Sequence, residues 1–124
     1  MRFLIDVNVL IAAVWDTHPQ HKQAFNWMDG KKILLCPLVE LGFLRISTQP
    51  SAFNVSMEDA RFALKNFISE LRVESISCDL PALAFSPKTS AQVTDAYLVA
   101  LAHKHGLKLA TMDKGIKHPA VVQI

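Results

Sequence analysis

The chain is poor in the residues that mark several common protein classes. It holds only four glycines, and neither G-x-G-x-x-G nor G-x-x-x-x-G-K-[ST] occurs, so the glycine-rich turns that bring backbone N–H groups onto a nucleotide's phosphates are missing. Its two cysteines, Cys36 and Cys78, are spaced for neither a zinc site nor a disulfide framework. No apolar run approaches the ~18 residues of a membrane span. There is no basic arm, acidic tail, low-complexity tract or internal repeat. Arg2 followed by apolar residues suggests a secretory leader, but Asp6 and Asn8 interrupt the run and no small-residue cleavage site follows. These absences predict a soluble cytoplasmic protein with free thiols and no membrane partner.

What is present is a chain of 124 residues, 51% hydrophobic and 19% charged, which suits one domain over residues 1–124 with a packed core. The net charge of +2 is too mild to diagnose nucleic-acid binding and does not oppose it. Short apolar runs alternate with helical patterns. RFLID (2–6), KILLC (32–36), VESIS (73–77), LKLAT (107–111) and AVVQI (120–124) read as strands. Helical spacing runs from about Asn8 to Asp16. A second helix has Thr17 as its cap, Pro19 in its first turn and Gly30 as its stop. A third starts at Pro37 and ends before Pro50. Ser56 and Asp59 form a capping box for a fourth, with Ala60, Leu64, Phe67 and Leu71 on one face. DLPALAFSPKTSAQ is loop-like with one short helix, and a fifth helix, TDAYLVALAHKH, closes at Gly106. The pattern predicts an α/β fold: a central parallel sheet of about five short strands, flanked by helices on both faces. Ligands in such folds gather at the carboxyl ends of the strands.

Four acids stand out from the ordinary surface charges. Asp6 ends the first strand inside FLIDVNVLIAAV. Glu40 lies in the first turn of an apolar helix, among Leu38, Val39, Leu41 and Phe43. Asp95 starts another helix, and Asp113 directly follows the fourth strand. Taken singly, Asp6 reads equally as a helix cap, Asp95 as a helix N-terminal residue favoured by the dipole, and Asp113 as a turn residue before Lys114 and Gly115. Taken together, all four fall at places that a parallel α/β layer brings to one edge. Their charges would repel there and oppose ionisation. A shared divalent cation removes that conflict, and oxygen-only ligands favour Mg²⁺ or Mn²⁺ over zinc.

These segments resemble the PIN domain, and in particular the VapC-type toxins of toxin–antitoxin pairs, over nearly the whole chain. LIDVNVLIA is similar to the family's opening strand and turn through Asp6 and Asn8. PLVELGFLRI resembles the second acidic segment through Glu40. TDAYLVALAHKHGLKLATMD matches a Thr-Asp helix followed by a strand ending in Thr-x-Asp, here Thr94, Asp95, Thr111 and Asp113. Two departures are visible. The opening motif commonly reads Asp-Thr-Asn where this chain has Val7, and a small hydroxyl residue often precedes the Glu segment where this chain has Pro37 and Leu38. Both leave the four acids in place and bear on the hydrogen bonds around them.

The resemblance implies a metal-dependent endoribonuclease, the toxin of a type II pair. Asp6, Glu40, Asp95 and Asp113 would be its catalytic and metal-binding residues and would hold one or two Mg²⁺ or Mn²⁺ ions. Such ions lower the pKa of water and stabilise phosphate charge. Asn8, Thr94 and Thr111 would orient the carboxylates or water. It also implies an RNA substrate, a homodimer, and a VapB-like antitoxin laid as an amphipathic segment into an apolar groove. Arg45, Lys114 and Lys117 are possible RNA contacts, each with a plain reading as a structural ion pair or a surface cation.

The histidines read more simply. His18 and His21 fit solvated surface, and His103 and His105 fit a helix C-terminus. Trp15, Phe25 and Trp27 read mostly as core. Competing readings are a non-toxin PIN nuclease for RNA processing or DNA, a catalytically silent PIN binding domain, and a nucleotide-binding or receiver-type domain. The last is opposed by the missing glycine motifs and by middle strands that end in Cys36 and in Ser77–Cys78.

Overall fold

The computed structural model describes residues Met1–Ile124. Five parallel strands form one sheet: β1 (Arg2–Ile5), β2 (Lys32–Leu35), β3 (Glu74–Ser75), β4 (Lys108–Thr111) and β5 (Val121–Gln123), in the order β3-β2-β1-β4-β5. The helices are α1 (Val7–Val14), α2 (His21–Trp27), α3 (Pro37–Thr48), α4 (Met57–Glu70) and α5 (Val93–Lys104). The expected parallel α/β sheet is the one observed.

The strand order fixes the layers. The chain steps outward from β1 to β2 to β3, then crosses back to β4 on the other side of β1. Right-handed crossovers put α1 to α4 on one face and α5 on the other. The packing agrees: α1 touches α2, α3 and α4, whereas α5 packs against β4. Leu4 is flanked by Leu34 and Leu109 in register, and all three are fully buried, as strands covered on both faces require. Phe43 of α3 is also fully buried and stacks on Trp15, with ring centroids 5.7 Å apart. The Trp15 indole N–H in turn donates to Ser47 Oγ at 2.9 Å, which satisfies one of only three buried polar side chains.

Several boundaries differ from expectation. Helix α2 begins at His21 rather than at a Thr17 cap. Residues 16–20 form turns instead, with His18 N–H on the Trp15 carbonyl and His18 Nδ1 accepting from Gln20 N–H. His18 and His21 are half-buried rather than solvated. His21 Nδ1 lies 2.8 Å from the Ala12 carbonyl, and His18 stacks on Phe53. Phe25 is exposed, while Trp27 packs edge-on against Phe3. Strand β3 keeps two residues of the five expected, because an edge strand has a ladder on one side only. Ser56 does cap α4, accepting from Asp59 N–H at 3.1 Å, but Leu71 lies past the helix end and is exposed. The loop before α5 holds two 3-10 turns, Ala82–Ala84 and Ser90–Gln92. Gly30 and Gly106 stop their helices in the left-handed region, at φ 73° and 68°.

Where the opening motif departs from the common pattern, Val7 has a packing role. Its methyls lie against Gly42 of α3, and a Cβ at Gly42 would sit 2.7 Å from Val7 Cγ2. Valine is stiff at χ1 in a helix and cannot turn away. Gly42→Ala should therefore destabilise by about 1–3 kcal/mol, although alanine is the better helix former by about 1 kcal/mol. Denaturant titration of Gly42→Ala, Val7→Ala and the double variant checks this. Val7→Ala should recover most of the loss, whereas additive single effects would exclude the close approach as its cause.

Candidate active site

In this strand order the chain reverses direction between β1 and β4, so the loops leaving those two strands part and open a crevice at their carboxyl ends. Asp6 leaves β1 there, and Asp113 lies two residues past β4. Asp6 is 4% exposed. It is the N-cap of α1, with Oδ1 accepting from Val9 N–H at 2.9 Å, and its Oδ2 accepts from Thr111 Oγ at 2.5 Å. Thr111, fully buried at the end of β4, also accepts from Asp113 N–H at 3.0 Å. One hydroxyl thus ties the first acid to the backbone of the last. Asp113 Oδ1 accepts from Gly115 N–H at 2.8 Å and closes its own turn. The cap reading of Asp6 and the turn reading of Asp113 are both true, and neither excludes a further role.

Burial pushes the Asp6 carboxyl above its ordinary pKa. The hydrogen bonds from Thr111 and Val9 oppose this, and the charges of Asp95 and Asp113 add to it. Asp95, half-buried in the first turn of α5, is raised by burial and then by Asp113. These three acids sense one another. Glu40 is raised by burial alone. It lines a groove of about 630 Å³ between α3 and α4, together with Leu41, Phe62, Arg61 and Lys65. Arg45 is not part of that lining and makes no ion pair. Of the three residues expected to orient the site, Thr111 hydrogen-bonds a site carboxylate, whereas Asn8 and Thr94 are exposed and do not.

No three His, Cys, Asp or Glu side chains stand close enough, as placed, to share a metal ion. The donor chemistry nonetheless fits one. None of the four acids is paired with a Lys, Arg or His, and Asp6, Asp95 and Asp113 carry mutual repulsion that a hard divalent cation would relieve.

A family model described as PIN domain matches residues 3–122. This chain belongs to the PIN domain family. Ribonuclease VapC38 of Mycobacterium tuberculosis is 34% identical, over 91% of this chain and 86% of its own length. Ribonuclease VapC44 of the same organism is 34% identical, over 98% and 92%. A chain in the crystal structure of VapBC2 from Rickettsia felis bound to a promoter DNA fragment superposes with a TM-score of 0.67 at 14% identity, covering 100% of this chain and 98% of that one. No helix of this PIN domain is long and apolar enough to cross a membrane.

Some features of the PIN domain escaped sequence spacing. Cys36 and Cys78 lie far apart in sequence, yet each follows a neighbouring strand, β2 or β3, and burial followed by the nearby Cys78 pushes Cys36 up to about 11. His105 caps α5 as expected of a helix C-terminus, and it also bonds Asp79 at 2.8 Å, which holds Asp79 below the usual carboxylate range. Lys117 joins Asp95 and Asp113 in one groove together with His103 and His118, whereas Lys114 does not line it.

Two outcomes follow. A carboxyl whose folded pKa is raised adds stability below its unfolded value and loses it as pH rises through the folded value. Without metal, Asp95→Asn should therefore raise Tm at pH 8, where wild-type Asp95 is charged beside Asp113. It should leave Tm nearly unchanged near pH 4, and equal shifts at both values would exclude the electrostatic origin. Second, Cys78 is exposed and Cys36 buried, so a thiol reagent at pH 8 should modify one equivalent rapidly and the second slowly. Cys78→Ser should abolish the fast phase.

Proposed function

We propose that this PIN domain, residues 1–124, is the toxin of a type II toxin–antitoxin pair. In this reading it is a Mg²⁺- or Mn²⁺-dependent endoribonuclease that hydrolyses RNA phosphodiester bonds in the cytoplasm. The observation that carries the reading is the convergence of Asp6, Asp95 and Asp113 on the crevice where the sheet reverses, none of them ion-paired to a cation of the chain. The ribonucleases named above support it.

Asp6, Asp95 and Asp113 would hold one or two ions, with Glu40 completing the set from α3. A bound ion supplies a nucleophile from water at neutral pH and offsets the charge that develops on the phosphate. The chain's residues provide placement. Thr111 and Val9 N–H fix both oxygens of Asp6, and each oxygen retains a lone pair for a ligand. Thr111 also sets the backbone from which Asp113 projects. Lys117 stands in the same groove as two of the acids and would contact an RNA phosphate. Lys114 and Arg45 are exposed cations that would add longer-range attraction. The chain would work as a homodimer silenced by a VapB-like antitoxin. The exposed Leu41 and Phe62 beside the α3–α4 groove supply apolar surface suited to an amphipathic segment.

Purified protein freed of antitoxin and incubated with total RNA tests the reading. Discrete fragments should appear with Mg²⁺ or Mn²⁺, vanish with EDTA, and fall on the order of 100-fold or more in Asp6→Asn. Cleavage that survives both EDTA and Asp6→Asn would refute this site. A folded protein that cleaves nothing under any condition would be a binding domain.

A further inference from the structure

Asp95, Val99 and His103 fall four residues apart along one face of α5, a rise of about 12 Å from first to last. The connection between β4 and β5 runs opposite, carrying Asp113, Lys117 and His118. The two walls enclose a groove of about 660 Å³. They meet at its far end, where the His103 and His118 rings lie edge to face with centroids 6.1 Å apart. The groove is therefore polar in charge, with acids where α5 begins and a lysine and two imidazoles where it nears its end. Between them, Val99 and Ile116 give an apolar stretch.

His118 is oriented for donation. Its Nδ1 accepts from Ala120 N–H at 3.0 Å, so in the neutral ring the proton sits on Nε2. Neither Lys117 nor His103 is engaged in an ion pair. Their donors are free for an anionic ligand, and structural ion pairing does not account for them.

We propose that this groove seats the RNA strand adjoining the scissile phosphate. Lys117, His103 and His118 receive a neighbouring backbone phosphate, the apolar stretch takes a base, and the acid end faces the scissile group. This rests on the ribonuclease reading and names the substrate as single-stranded RNA, whose unstacked bases can enter such a cleft. The three residues are positioning residues, since they touch substrate away from the reacting atoms.

Cleavage kinetics and equilibrium binding of a labelled single-stranded RNA, the latter in metal-free buffer, test this on the full chain. Lys117→Gln and the triple variant Lys117→Gln/His103→Gln/His118→Gln are compared with Lys22→Gln, an exposed lysine outside the groove. Lys117 is exposed and makes no side-chain hydrogen bond, so its single variant should fold even if the triple variant does not. The triple variant should raise KM about tenfold while kcat stays within about twofold. The slope of log affinity against log salt should lose about 0.7 for each phosphate contact removed. Lys22→Gln should change neither.

Unchanged KM and salt slope in a wild-type-like nuclease would overturn the groove and leave the ribonuclease standing. A fall in kcat without a rise in KM would overturn it as well. A wild-type chain that binds RNA with the expected Lys117 dependence but never cleaves would support the groove and refute the nuclease. A chain that neither binds nor cleaves would refute both.

Discussion

A carboxylate removed from water loses solvation worth several kcal/mol unless hydrogen bonds replace it. Asp6 replaces it with two, one from the first turn of α1 and one from Thr111 at the end of β4. The second joins two neighbouring strands whose residues are separated by nearly the full length of the chain. It therefore forms only when β1 and β4 are paired in register. The same hydroxyl receives Asp113 N–H, so the position of the last acid follows from the first. Fold and site are thus coupled through one buried side-chain pair.

The strand order makes this geometry useful. Because β1 and β4 are adjacent and the chain departs from them toward opposite faces, their loops diverge. Asp95 reaches the same crevice from α5, the helix that packs on β4. Three carboxylates gathered in this way repel one another, and burial together with that repulsion raises the proton affinity of Asp6 and Asp95. A divalent cation would turn that repulsion into binding. Glu40 belongs to a different balance. It is raised by burial and lines the α3–α4 groove with Arg61 and Lys65.

Much of this was legible in the residues themselves. The strands were visible as short apolar runs, the α4 cap as Ser56 three residues before Asp59, and the stops as Gly30 and Gly106. The four acids were visible because each interrupts or abuts an apolar segment, where a charge is expensive. Less legible were features set by contacts across space. The Trp15–Phe43–Ser47 packing and the His18 turn displaced the expected start of α2. Val7 reads locally as a lost hydroxyl, and only its packing against Gly42 gives it a role. His118 carried no local signal at all, being one polar residue in a polar loop.

The sequence by itself determined the class of fold and the identities of the acids, because hydrophobic periodicity and misplaced charge are local properties. Only the tertiary structure decided which acids act on one another. Asp6, Asp95 and Asp113 share a field, while Glu40 is shifted by its own burial alone. It also decided that Cys36 lies near enough to Cys78 to be influenced by it, and that Lys117, His103 and His118 share a groove with two of the acids. Such pairings depend on strand order and helix crossing, which arise from packing over the whole chain and leave no mark on any short stretch of it.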